Sequence, residues 1–174
     1  MAWTTPRTWT DGELVTKAIM DVHVRDNFNT VDRLIVPKTA DETVTSSTTL
    51  QNDDHLSFAV GINTVWYLRL GLYVLDASDG VGNLKVGVTF PASAVCQLNY
   101  VWLGLGGTLT HMRVRDATGV AVFGTATGDF HEFRGILKVA GTSGTFQFQF
   151  AQNTSNGSGV TVKQHSFIAG RQLA

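Results

Sequence analysis

Two periods divide this chain. Between Thr16 and Ile35 apolar side chains recur at helical spacing, with Val24, Phe28, Val31 and Ile35 on one stripe, Met20 above it and Leu34 beside it. No Gly or Pro interrupts that stretch, and Val36, lying before Pro37, disfavours continuing the helix. The pattern predicts a helix of about twenty residues and about 30 Å. Two starts are written for it. Thr10 and Glu13 have the spacing of a capping box, and Thr16 is a second N-cap candidate, with Val15 and Met20 placed as a hydrophobic staple across it.

Beyond Pro37 the period shortens to two. Residues 37–50 read as a polar, β-branched connector that becomes an edge strand near Val44, and 51–54 (Gln-Asn-Asp-Asp) reads as a turn. Alternation then marks 55–60, 84–90, 96–105, 112–115, 120–123, 130–139, 145–152 and 160–169. The run 65–75 is apolar almost throughout, as in a strand covered on both faces. In 145–152, Phe146, Phe148 and Phe150 share one face, opposite Thr145, Gln147, Gln149 and Ala151. Some nine or ten strands fit at usual lengths. The expected fold is mainly β: an antiparallel jelly-roll-like sandwich over 37–174, preceded by an N-terminal arm and one α-helix over 1–36.

Composition narrows the function. Charged residues make up only 16% of the 174, below the roughly 25% usual for a soluble domain. Thirteen Lys and Arg against fourteen Asp and Glu leave no cationic surplus for a phosphate backbone, so nucleic acid is not an expected partner. No apolar run reaches membrane-spanning length, and the opening residues carry no apolar leader core, so neither a membrane nor secretion is expected. Cys96 is the single cysteine and sits in a strand-like run, where it reads as a buried, inert thiol. Trp3, Pro6, Arg7 and Trp9 stand in an arm without a pattern of its own, and two tryptophans there need a surface to cover them.

Chemistry is hard to find. The five histidines (His23, His55, His111, His131 and His165) are scattered one per element without metal-ligand spacing. Residues 76–80 (Asp-Ala-Ser-Asp-Gly) read as an ordinary turn, since the bidentate acid of a calcium loop is missing. Phosphate loops, dinucleotide fingerprints and nucleophile elbows are absent from the sequence. No catalytic residue, metal site or cofactor is expected.

The stretch 9–27 (Trp-Thr-Asp-Gly-Glu-Leu-Val-Thr-Lys-Ala-Ile-Met-Asp-Val-His-Val-Arg-Asp-Asn) resembles an N-terminal segment of virion structural proteins of tailed bacteriophages. Residues 47–58 and 151–155 look like pieces of the same family's β domain, while Asp21 stands where that family would place Asn. Head decoration, minor capsid and minor tail proteins all fall within the likeness. The resemblance alone does not choose among these; taken with the low charge, the absence of motif chemistry and the tryptophan-bearing arm, it leads to the expectation of a capsid decoration protein, a trimer made in the bacterial cytoplasm and carried on the virion, whose partner is the major capsid protein or another virion protein. The alternatives are a tail or tail-fibre component and a carbohydrate-binding module for host recognition. The residues expected to bind the partner are Trp3, Pro6, Arg7, Trp9, Met20, Val24, Arg25, Phe28 and Val31. Those expected at a subunit interface, from the apolar excess of 65–75, are Trp66, Leu68, Leu70 and Leu72.

Overall fold

The computed structural model describes residues 7–25, 34–77, 83–103, 109–114, 121–123 and 128–173. The chain divides into two compact units, 1–34 and 35–174. In the first, residues 10–13 form a turn rather than a helix start. The Glu13 amide donates to the Thr10 carbonyl, and the Thr10 amide donates back to the Glu13 carboxylate at 3.3 Å. Gly12 makes that turn possible with φ +77. Thr16 is the working cap: its hydroxyl accepts from the Ile19 amide at 3.3 Å. The described part of the helix it opens is an α-helical turn α1 at Lys17–Met20 that widens into a π-helical turn at Asp21–Arg25; the expected continuation over 26–33 lies outside the described residues. By Leu34 the chain is extended, so the helix does not reach Ile35. Ile35 and Val36 are β-branched, Val36 precedes proline, and strand pairing claims both.

Twelve strands are present among the described residues. They are β1 (Leu34–Pro37), β2 (Glu42–Val44), β3 (Gln51–Val60), β4 (Val65–Asp76), β5 (Leu84–Thr89) and β6 (Val95–Leu103), then β7 (Leu109–Val114), β8 (Ala121–Phe123), β9 (Asp129–Lys138), β10 (Gly144–Gln152), β11 (Val160–Val162) and β12 (Phe167–Gln172). Four antiparallel pairs are nested one inside another: β3 with β10, β4 with β9, β5 with β8, β6 with β7. Such a ribbon, folded over on itself, makes two sheets in the orders β4-β9-β6-β7 and β3-β10-β5-β8, which is an eight-stranded jelly roll. The expected mainly β sandwich is therefore the fold. Four short strands extend the first sheet: β12 and β11 pair in succession along the free edge of β4, β1 lies beside β12, and β2 beside β11.

Two boundaries differ from expectation. The last strand breaks at residues 163–166, where His165 adopts φ +73, so one expected strand becomes β11 and β12. The polar residues 51–54 are strand rather than turn. Asn52 pairs with Gln149 on β10 and accepts from its side-chain amide at 2.8 Å, so cross-strand bonding overrides their turn propensity.

The core lies between the sheets. Leu70, Leu98 and Phe133 from the first sheet and Val86, Val88 and Phe148 from the second line one small cavity. Phe146, Phe148 and Phe150 are 0%, 1% and 0% exposed, as their alternation predicts. Cys96 is buried, and burial pushes its thiol up to about 12, which leaves it protonated and inert. Gly135 is required where β9 runs between β4 and β6, because a Cβ there would stand 1.8 Å from the Gln97 carbonyl oxygen.

Phe148→Ala is expected to cost about 3–5 kcal/mol in denaturant titrations, while Gln149→Ala on the outward face costs less than about 1 kcal/mol. Equal losses would place both faces under cover. Gly135→Ala is expected to cost about 3 kcal/mol or more, since backbone rather than a yielding side chain meets the added methyl.

Candidate attachment surfaces and a buried ionic cluster

The first unit keeps its charges together and leaves its apolar groups outward. Arg7 pairs with Glu13 and lies over the Trp9 ring, 5.3 Å from its centroid. Asp21 accepts from Lys17 one turn before it and from Arg25 one turn after, at 2.9 Å for the latter. The Lys17 hydrogen bond, with the nearby Arg25 charge, holds the Asp21 carboxyl below its ordinary value. With the cations so engaged, Trp9, Leu14, Val15, Met20 and Val22 remain exposed, Leu14 at 81% and Trp9 at 45%. Val24 is half-buried. Trp3, Pro6, Phe28 and Val31 lie outside the described residues, as do residues 104–107 and the Arg115-Asp116 pair. Leu14, Val15 and Val22 were not among the expected contact residues: Leu14 and Val15 precede the Thr16 cap, and Val22 falls off the stripe that Met20 and Val24 begin.

In the second unit, β4 does not use its leucines on a partner. Leu68, Leu70 and Leu72 are 0%, 1% and 0% exposed and point into the sandwich, so they fill the core of their own chain. The apolar excess of this strand reflects an inward row of leucines with two tyrosines facing out. Trp66 is half-buried: it meets the Phe58 ring edge-on at 5.3 Å and donates its indole N–H to Thr64 at 3.1 Å. What β4 shows outward is Tyr67, Arg69 and Tyr73, and on β9 the facing residues are Ile136, Arg134 and Phe130. Arg69 and Arg134 stand directly opposite each other, a repulsive pairing that Glu132 resolves by accepting from both. Burial alone would raise Glu132, but its bonds to Arg134 and Arg69 outweigh that and hold it low. Gly71 leaves room for the rings of Phe167 and Phe130, which a Cβ would meet at 2.5 and 2.9 Å.

Among the polar groups buried in the described residues are two clusters. The Tyr100 hydroxyl and His131 Nδ1 are 3.1 Å apart. Burial pushes His131 below the ordinary imidazole value, with Asp129 pulling the other way, and burial raises Tyr100. As alternation requires, His131 and its neighbour Glu132 face opposite sides.

The second group escaped the sequence reading, which placed its members in a polar connector and a turn. Lys38, just after β1, is 1% exposed. Its Nζ donates to Asp53 Oδ2 at 2.7 Å and to Glu42 Oε2 at 2.8 Å. Asp53 is 2% exposed, and its other oxygen, Oδ1, accepts from the His55 and Leu56 amides, both at 2.9 Å. The Asp54 amide donates to Glu42 at 3.0 Å. The backbone of Lys38 is clamped as well: its amide donates to the Ser166 carbonyl at 2.7 Å, and its carbonyl accepts from the His165 amide. Glu42, Asp53 and His55 bring ligand atoms within 4.8 Å of one another, but the Lys38 ammonium already occupies the place a cation would take. Among the described residues this is the most deeply buried charge cluster. Losing one partner of such a pair costs about 3–5 kcal/mol, because a charge is left alone away from water.

No family model and no curated protein matches the chain. Among the solved structures similar over most of it are the following three. The tripod (BppUct-A-L) from the baseplate of bacteriophage Tuc2009 is 12% identical with a TM-score of 0.35, covering 99% of this chain and 75% of that one. Infectious bursal disease virus, Gx strain, is 12% identical at 0.28, covering 80% and 40%. The VP2 subviral particle of the same virus is 11% identical at 0.23, covering 81% and 40%. With TM-scores below 0.5, none of these likenesses enters the functional reading.

The His131 environment gives a testable sign. The folded imidazole stays neutral while the unfolded one protonates near about pH 6.5. The unfolded state thus binds more protons, and stability falls as pH drops below that value until the folded group also titrates. The denaturation midpoint is expected to be lower at about pH 5.5 than at about pH 7.5, and His131→Gln should flatten that difference. An unchanged slope would put the acid sensitivity elsewhere.

Proposed function

We propose that this protein is a virion structural component, a bacteriophage capsid decoration protein that attaches through its N-terminal unit and stabilises the assembled head. The observation that carries the reading is the exposed apolar set Trp9, Leu14, Val15, Met20 and Val22 on a unit of few residues. Isolated apolar side chains on a surface are ordinary, but five within fourteen residues, beside ion pairs that consume the local charge, suit a segment finished by a partner. The same segment carries the sequence resemblance to tailed-phage virion proteins. A cement of this kind needs no catalysis. It binds assembled shell in preference to free subunits and stabilises the shell by RT ln(1 + [L]/Kd).

The homotrimer implied by the resemblance is proposed to form on the outward face of β4 and β9, where Tyr67, Tyr73, Phe130 and Ile136 are exposed. Those tyrosines are also where the carbohydrate-binding alternative would rest. Glycan binding abolished by Tyr67→Ala and Tyr73→Ala would move the function there.

The attachment reading is tested by co-sedimentation with particles. Trp9→Ala and Leu14→Ala are each expected to weaken binding about tenfold or more, and Arg7→Ala by less, because buried apolar anchors dominate interfaces more often than rim charges. Melting of decorated particles should exceed that of bare ones, and the gain should survive about 0.5 M salt, where charge attraction is screened within a few ångströms. A gain that disappears in salt would make the attachment electrostatic. Protein found on tails instead of heads would give the function to the fibre alternative.

A further inference from the structure

We infer that Lys38, Asp53 and Glu42 form an autocatalytic cross-linking site, in which the Lys38 side chain condenses with the Asp53 carboxyl to an intramolecular isopeptide bond. The inference stands independently of the attachment reading.

Three groups meet there in the roles that amide formation requires. The nucleophile is Lys38 Nζ, 2.7 Å from Asp53 Oδ2. The electrophile is Asp53 Cγ. Its Oδ1 is already held by the His55 and Leu56 amides at 2.9 Å, so two backbone donors face the atom that becomes negative in a tetrahedral intermediate. The proton carrier is Glu42, whose Oε2 lies 2.8 Å from Nζ. Lys38 and Asp53 side chains are both 0% exposed, and Glu42 is 19% exposed.

The step balances without a co-reactant. An ammonium carries three protons and the product amide nitrogen keeps one. One proton passes from Nζ to the Asp53 carboxylate, which leaves a neutral amine facing a neutral acid. The amine lone pair forms the C–N bond at Cγ, and charge gathers on Oδ1. Glu42 takes the second proton from nitrogen and passes it to Oδ2. The C–Oδ2 bond then breaks, that oxygen departs as water, and Glu42 returns to its starting state. Nothing is oxidised or reduced.

Bulk water opposes this condensation, because it solvates the ion pair and supplies the product water in excess. Here the balance is reversed. The ion pair is expensive to keep away from water, whereas the amide is neutral. The reacting atoms are held by their strands at an effective concentration that free amine and acid do not reach. Lys38 cannot swing out, since its amide and carbonyl are both bonded to the chain leading into β12. The bond would join residues fifteen positions apart in sequence, and it would tie the segment between β1 and β2, in one sheet, to β3 in the other.

Mass spectrometry of the full-length protein decides. The denatured chain is expected to be lighter than its sequence mass by one water. Tryptic digests should lack cleavage after Lys38 and yield a branched peptide joining Lys38 to Asp53. Glu42→Gln, which keeps size and hydrogen bonding, should fold with an unchanged circular dichroism spectrum and return to its full sequence mass. Asp53→Asn, if it reacts, should lose ammonia in place of water. A wild-type mass equal to the sequence mass after prolonged incubation at neutral pH overturns the proposal. So does a water loss that maps to a cyclic imide at Asp11-Gly12 or Asp79-Gly80. A cross-link that persists in Glu42→Gln overturns the role given to that carboxylate.

Discussion

Water is kept from between the two sheets by alternate side chains, and the rest of the β body depends on that exclusion. Leu68, Leu70 and Leu72 on β4 and Phe146, Phe148 and Phe150 on β10 each send every second residue inward. A slip of one residue in either strand would turn its whole row to solvent. The register is therefore set by burial as much as by hydrogen bonds. Gly135 marks the tightest point of the arrangement, where two backbones approach so closely that side-chain volume has no place. Even the surface follows from this parity, since Tyr67, Arg69 and Tyr73 face out because the leucines between them face in.

Parity of this kind is what the sequence displays best. The phenylalanine row of β10 and the sandwich class were readable because strand period and burial coincide there. The run 65–75 differs from expectation at one level: Tyr67, Arg69 and Tyr73 alternate with its buried leucines and face outward. Its outer face is aromatic and exposed in the single chain, and it is the face proposed for the trimer. The helix failed for another reason. Periodicity extended it to Ile35, but the β-branched Ile35-Val36 pair before proline had a better partner in β12, and helical spacing carries no information about such a competitor.

The buried ionic cluster was not legible at all. Lys38, Glu42 and Asp53 lie in a stretch whose polar composition reads as connector and turn, and nothing in their spacing indicates that β2, β3 and the segment after β1 bring them together away from solvent. Burial of charge is a property of the tertiary fold, and only the alternation around such residues belongs to the sequence. The same holds for the exposed Leu14, which precedes the Thr16 cap, and Val22, which lies in the π-helical turn.

The nested order of the pairs also bears on how the chain reaches its fold. Only β6 and β7 are joined by a short connection; β5 with β8, β4 with β9 and β3 with β10 close successively larger loops around them. Each outer pair becomes cheaper to close in entropy once the one inside it exists. Assembly is thus biased to run from the β6–β7 hairpin outward, and the pair that seals the ribbon joins strands almost a hundred residues apart, at the slow end of the range for single domains. Reversal must begin at the same seal, between β3 and β10. A bond or a bound neighbour that holds β3 in place would then lengthen the lifetime of the folded state more than it changes the speed of folding.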